Sequence, residues 1–183
     1  VRLATIFFVD MTEMFNVRDE FLRTRPITAV ILIDNYDELM SNLPDSTISK
    51  LDAQINEAVS GWVTGLHALC RKMERNRYLL LFESKDLSRL QEGKFSILDA
   101  IRAVVNPAGV NATISLGIGK DGSSFEENYS FANLSIEMAL SRGGDQAVIK
   151  NRYSFEFFGG LSEEVEKRTK VKSRVVANAL SQL

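Results

Sequence analysis

Cysteine, histidine and proline are scarce in this 183-residue sequence, with one, one and three copies. A lone Cys70 cannot close a disulfide within the chain, which points to a reducing compartment. A lone His67 excludes a histidine-based triad or histidine metal cluster built from this chain alone. With so few prolines and only 11 glycines, a collagenous or low-complexity chain is excluded. Apolar runs such as Ala29–Ile33 are far too short to cross a bilayer, and no signal peptide is visible. Neither sign of charge dominates: 22 Lys and Arg face 24 Asp and Glu. No overall basic field draws nucleic acid, so no nucleic-acid partner is expected. What is present, 45% hydrophobic and 25% charged residues, is the composition of one globular domain. The sequence opens at Val1 in a strand-like pattern without an initiator Met, and reads as a piece of something longer.

Alternation over residues 2–9 predicts a strand with no nearby strand partner. Asp10-Met11-Thr12-Glu13 has the form of a capping box, with Asp10 as N-cap and Glu13 reaching back. The helix it opens carries Met14, Phe15, Val17, Phe21 and Leu22, and ends before Pro26, which disfavours helix at Arg25. Ile27–Ile33 is the unbroken apolar run of a strand buried on both faces. A turn or short helix over 35–40 follows. A helix from Asp45 or Ser46 to about His67 then carries Ile48, Leu51, Ile55, Val59 and Trp62 as one stripe. Residues 68–74 and 78–84 form a hairpin turning at Arg75-Asn76. Residues 95–105 read as helix, 112–119 as strand, and 125–141 as a long amphipathic helix closed by Gly143-Gly144. Short strands at 147–150 and 155–158 and a closing helix over 163–183 complete the chain. Between 27 and 158 the order is βααββαβαβ. This is an α+β arrangement of the ferredoxin type, with a central, mostly antiparallel sheet flanked by helices, as in nucleotidyl cyclases and polymerase palms.

Particular stretches carry a resemblance. Val30-Ile31-Leu32-Ile33-Asp34-Asn35-Tyr36 resembles the first strand, D-x-D-x-F, of GGDEF domains, the fold of diguanylate cyclases. Thr113 to Gly119 resembles the late T-x-S-x-G-x-G strand, and Met138 to Ile149 the helix exit and strand that follow it. The signature hairpin aligns with Glu74-Arg75-Asn76-Arg77-Tyr78, where only the final aromatic survives. On the flanks, Val9 to Glu13 resembles the D-x-T exit of PAS sensor domains. Arg142 to Gln146, Phe158 to Gly160 and Glu166 to Val171 are similar to segments of the GdpP (YybT) family. Members of that family order two membrane helices, a PAS domain, a degenerate GGDEF domain and DHH/DHHA1 domains that hydrolyse cyclic di-AMP to pApA with Mn²⁺. The resemblance implies a PAS exit strand and linker helix at 1–25, a degenerate GGDEF domain at 26–158, and a linker helix at 159–183 toward a DHH domain absent from this chain. It further implies a cytoplasmic domain of a bacterial cell-membrane protein, with its own PAS and DHH/DHHA1 domains as partners. PAS and GGDEF modules commonly form homodimers, and the Met14–Leu22 helix is the candidate two-fold contact.

Joining two GTP molecules requires two metal ions at the reacting phosphate. The family's carboxylate ligands fall, by this resemblance, on Leu32 and Asn76, neither of which is anionic. The two signature glycines have become Glu74 and Arg75. The phosphate-contacting Lys and Arg map to Ser141 and Asp145, with Arg142 one residue away as partial compensation. The product-inhibition R-x-x-D maps to Gly65 and Ala68. Cyclase activity is therefore not expected, and no catalytic residue is assigned. Gly143-Gly144-Asp145 spells the start of the signature but sits at a helix exit, where glycines act as a stop. What remains is Asp34 at the carboxyl end of the first core strand, where open α/β sheets bind ligands. Asp34, Asn35, Tyr36, Arg75, Arg77 and Arg142 are the candidate nucleotide-binding residues, for ATP or GTP, and Asp34 the candidate ligand for one Mg²⁺. Family members are associated with a feeble ATPase of this domain. Three readings stay open: a regulatory nucleotide binder without turnover, a weak Mg²⁺-dependent ATPase, and a structural spacer or dimerisation element. His67 is read as a helix-end residue, Cys70 as a core thiol and Trp62 as packing. The basic run from Lys167 to Arg174 is read as a solvated linker face.

Overall fold

The structure, a computed structural model, describes residues 7–159. Helix α1 (Thr12–Thr24) leads into β1 (Pro26–Ile33), followed by α2 (Tyr36–Met40), α3 (Asp45–Thr64), β2 (Ala68–Glu74) and β3 (Arg77–Glu83). Then come α4 (Ser84–Glu92), α5 (Ile97–Arg102), β4 (Ile114–Gly119), α6 (Phe125–Ser141), β5 (Ala147–Lys150) and β6 (Phe155–Phe158). The six strands form one sheet in the order β2-β3-β1-β4-β5-β6. Only the β4–β5 pair is parallel; β1 runs antiparallel to both β3 and β4, with Ile31 opposite Tyr78 and Leu116.

The apolar run of β1 places it at the centre of the sheet. Ile27, Ala29, Ile31 and Ile33 join the main core with Leu39, Leu51, Ile55, Val59, Ile97 and Ile101 from α2, α3 and α5. Val30, on the other face, packs with Ala132 and Ile136 of α6. That second helix approaches the sheet closely because β4 carries glycines at the contact. A Cβ on Gly117 would lie 2.2 Å from the Ala132 carbonyl oxygen, and one on Gly119 would lie 1.8 Å from that of Asn128. The start of α6 is fixed by Ser124, whose Oγ accepts from the Glu127 amide at 3.1 Å, while Glu127 accepts in return from Ser123.

Several expectations are corrected. Residues 7–9 are not in a strand, and the rest of the expected 2–9 strand lies outside the described residues, as does the expected 163–183 helix. Met11, not Asp10, is the N-cap of α1; Asp10 Oδ1 accepts from the Thr12 amide at 2.9 Å, a turn one residue further out, and Glu13 does not reach back. No side chain of α1 is buried; among the described residues it is met chiefly by α4, and its apolar row stays largely exposed. Helix α3 stops at Thr64, so His67 stands beyond it at the entry to β2, with Nδ1 3.4 Å from Asp86 Oδ2. The second hairpin strand begins at Arg77 and the next core strand at Ile114. The polar segment 84–92 forms α4, for which the sequence carries little signal because only Leu87 and Leu90 supply it with an apolar face. The helix expected over 95–105 spans only Ile97–Arg102. Lys94 and Phe95 have φ of +47° and +53°, and Val105 bridges to Asn111 as a short extended stretch.

Two glycine substitutions test this packing. Gly119→Ala forces the sheet and α6 apart and should cost about 3 kcal/mol or more in urea unfolding. Gly61→Ala, inside α3 with nothing within 4 Å of the added methyl, should stabilise by about 0.5–1 kcal/mol.

Candidate functional site

A cleft of about 680 Å³ opens between the start of α3 and the β2–β3 hairpin. Tyr36 from α2, Asp45, Ile48, Ser49 and Asp52 from α3, and Lys72, Met73, Glu74 and Arg75 from the hairpin line it. Two of these side chains, Asp52 and Lys72, belong to a polar network that continues behind the cleft. Lys72 Nζ lies 2.6 Å from Asp52 Oδ1, Asn56 Nδ2 donates to Asp52 Oδ2 at 3.2 Å, and the Tyr78 hydroxyl donates to Asn56 Oδ1 at 2.5 Å. Burial, reinforced by the Asp52 carboxylate, drives the Tyr78 hydroxyl far above its ordinary range, so it stays a donor. Tyr36 is pushed up mainly by burial and also by Asp52, with Arg75 opposing the rise. Among the described residues of the cleft, Lys72 is committed to Asp52, which leaves exposed Arg75 as the cation presented at the rim.

The six candidate binding residues do not converge. Tyr36 and Arg75 share the cleft. Asn35 is a loop staple: its Nδ2 donates to the Asn111 carbonyl at 2.8 Å and its Oδ1 accepts from the Thr113 amide at 3.1 Å. Arg77, expected to face Asp34, donates instead to Asn133 of α6, on the opposite face of the sheet from α3. The Arg142 guanidinium stacks on the Phe157 ring, 4.2 Å from its centroid. Asp34 turns toward the α6 exit, where its Oδ2 accepts from the Asp145 amide at 2.9 Å. Strand parity explains part of the division. Side chains alternate between faces along β1, so Leu32 points with Val30 to the α6 side, while Ile31 and Ile33 point to the side of the cleft. Asp52, Asn56, Lys72 and Tyr78 were not anticipated. The signal was faint: a polar pair four residues apart on α3, each directly after a buried residue, Leu51 and Ile55, and a Lys72–Tyr78 cross-strand pair legible only once the register is known.

Asp34 is also the one aligned carboxylate for Mg²⁺, and its surroundings do not suit the ion. Mg²⁺ dehydrates reluctantly and keeps several waters. Asp34 Oδ1 is shut away from solvent against Ser115, and Oδ2 already accepts from the Asp145 amide. The nearby Asp145 carboxylate is held by Arg102 Nε at 2.9 and 2.8 Å. Among the described residues no three His, Cys, Asp or Glu side chains gather to hold a metal. The donor set therefore fits neither a two-ion site nor a hydrated single ion. Burial lifts the Asp34 carboxyl above its usual 3.8, against the Asp145 amide and Ser115, with the Asp145 carboxylate adding to the rise.

The mixed sheet with its inserted hairpin and two helical layers defines a GGDEF-type fold. The GGDEF domain of FimX from Pseudomonas aeruginosa shares it, with a TM-score of 0.58 at 17% identity over 76% of this chain and 92% of that one. Residues 31–157 match the family described as "Cyclic-di-AMP phosphodiesterase GdpP-like, GGDEF domain", and the chain belongs to that family. It is 33% identical to the cyclic-di-AMP phosphodiesterase GdpP of Bacillus subtilis and 32% identical to the phosphodiesterase PdeA of Listeria monocytogenes, over 97% of the chain in each case. The chain spans 27% of the length of each of these relatives.

The raised Asp34 carboxyl has a consequence for stability. The folded state binds more protons than the unfolded chain in the window just above 3.8, so this group's contribution falls as pH rises through it. The stability of Asp34→Asn relative to the parent chain should therefore be flat at the acid end and grow as pH rises, measured by urea unfolding from about pH 3 to 7.

Proposed function

We propose that this is the regulatory GGDEF domain of a membrane-anchored cyclic di-AMP phosphodiesterase, without cyclase chemistry of its own, and that it binds a purine nucleotide in the cleft between α3 and the hairpin. The observation that carries this reading is the composition of the cleft. An aromatic ring, Tyr36, and a cation without an ion pair, Arg75, stand beside the paired Lys72 and Asp52, with Asp45 and Glu74 also on the lining and no group of carboxylates placed to hold a metal ion at a phosphate. Such walls suit a base stacked on the phenol and a phosphate paired with the guanidinium. The hydrolysis of cyclic di-AMP to pApA, with its Mn²⁺, belongs in this proposal to domains outside the chain, as do the sensor and the membrane helices. The exposed row Met14, Phe15, Val17, Phe21 and Leu22 on α1 supports a dimer of the parent protein through this helix. In that arrangement nucleotide occupancy would adjust the hydrolase from a distance, with no turnover in this domain.

Calorimetric titration of ATP and of GTP, with and without Mg²⁺, tests the reading, with phosphate release followed in parallel. The expected result is saturable binding without phosphate release. Arg75→Ala should weaken it by about tenfold or more, because a charge-assisted contact is lost. Tyr36→Ala should also weaken it. Dilution heats alone for both nucleotides would make the domain a spacer, and phosphate release that depends on Arg75 would make it an ATPase.

A further inference from the structure

We infer that Asp34 is a positioning residue that locks the turn between α6 and β5, and that it holds no metal ion. The position is the one at which a GGDEF-type sheet presents its remaining aligned carboxylate, so the assignment changes what this acid is for. It is independent of whether the cleft binds a nucleotide.

The turn is an unusual piece of backbone. Gly143, Gly144 and Asp145 follow one another with φ of +104°, +74° and +55°, three left-handed residues in a row, the last of them not a glycine. Such a run persists only where its surroundings fix it. Behind it, the Gly144 amide donates to the Ala139 carbonyl at 2.9 Å, and Gln146 Nε2 donates to the carbonyls of Ala139 and Gly144 at 3.1 and 3.2 Å. From α5, Arg102 Nε grips both carboxylate oxygens of Asp145. In front, Asp34 Oδ2 takes the Asp145 amide at 2.9 Å, the one brace that reaches the turn from β1. Gly144 lies so close to that carboxylate that a Cβ would stand 2.7 Å from Oδ2, which leaves no room for an ion with its waters between turn and acid. The main chain on either side of Asp34 is equally committed: the Asp34 amide donates to Thr113 and the Ile33 amide to Asn76, both at 2.9 Å. One carboxylate thus ties together the central strand, the end of α6 and, through Asp145, the α5 layer.

What the turn needs from Asp34 is an acceptor, whereas a metal would need the negative charge. Asparagine supplies the first without the second, and this separates the two roles. Hydrogen exchange of the Asp145 amide, followed by NMR on the 183-residue chain without nucleotide, should show protection within about twofold of the parent in Asp34→Asn and at least about tenfold lower in Asp34→Ala. Titration of the parent chain with Mn²⁺ alone should leave the amides of residues 33–35 and 144–146 no more broadened than the rest. Full protection of Asp145 in Asp34→Ala would overturn the positioning role. Selective Mn²⁺ broadening around Asp34, lost in Asp34→Asn, would make it a metal ligand and overturn the inference. If Asp34→Ala does not fold, the Asn variant and the Mn²⁺ titration of the parent still decide the question. Because none of these readouts involves the cleft, a failure of nucleotide binding would leave this inference standing, and the reverse also holds.

Discussion

Everything in this domain follows from a strand that cannot face water on either side. β1 carries Ile27, Ala29, Val30, Ile31 and Ile33 with almost no exposure, and apolar surface removed from water contributes roughly 25 cal/mol per Å². A strand of that kind must be flanked by strands and covered above and below. The hairpin and β4 therefore take its two edges, α3 and α5 cover one face, and α6 covers the other. The glycines of β4 are the local answer to the second covering, since they let the α6 backbone settle onto the strand.

The same architecture decides which polar side chains can meet. Side-chain alternation and two covering layers divide the carboxyl end of β1 into separate neighbourhoods. The one toward α3 holds a cleft whose Asp52 and Lys72 are satisfied by each other and by Asn56, itself held by Tyr78, so the charge offered to a visitor comes from Asp45, Glu74 and Arg75. The one toward α6 is closely lined by backbone, and there a carboxylate serves as an acceptor for an amide. In a region of low effective dielectric, a charge without solvent is retained only when hydrogen bonds replace that solvent. Asp34 has part of this replacement and Asp145, in the grip of Arg102, has more.

Much of this was legible in the residues and some of it was not. The helix Phe125–Ser141 stands in the sequence at its true limits, closed by a pair of glycines, and the apolar run Ile27–Ile33 falls one residue short of β1, which begins at Pro26. The family was legible too, through the order of several individually weak segments. Helix α4 was illegible because a nine-residue segment with two core leucines has almost no periodic signal. The start of the helix within 95–105 was illegible because nothing in Lys94-Phe95 announces two left-handed residues. The candidate site was the least legible part. Residues 34, 35 and 36 are neighbours in sequence, yet one braces a turn, one staples a loop and one lines a cleft. Sequence proximity says that side chains are near and says nothing about which way they face.

Helix α1 stands apart from this tightly covered body. None of its side chains is buried, and it meets the domain through α4 and around Arg25, which donates to the Gly122 carbonyl at 3.1 Å and accepts from the Ser84 amide at 2.9 Å. Mechanically, it is a lever with its fulcrum at Arg25. Swinging it exposes little apolar surface that is not already exposed, so the restoring torque is small. At Pro26 the motion meets a strand clamped on both edges and both faces, and stops. A push at the N-terminal end of α1 would therefore pass as a tilt of a stiff body on a compliant stalk, and something that clasps the stalk itself would turn that tilt into a defined rotation.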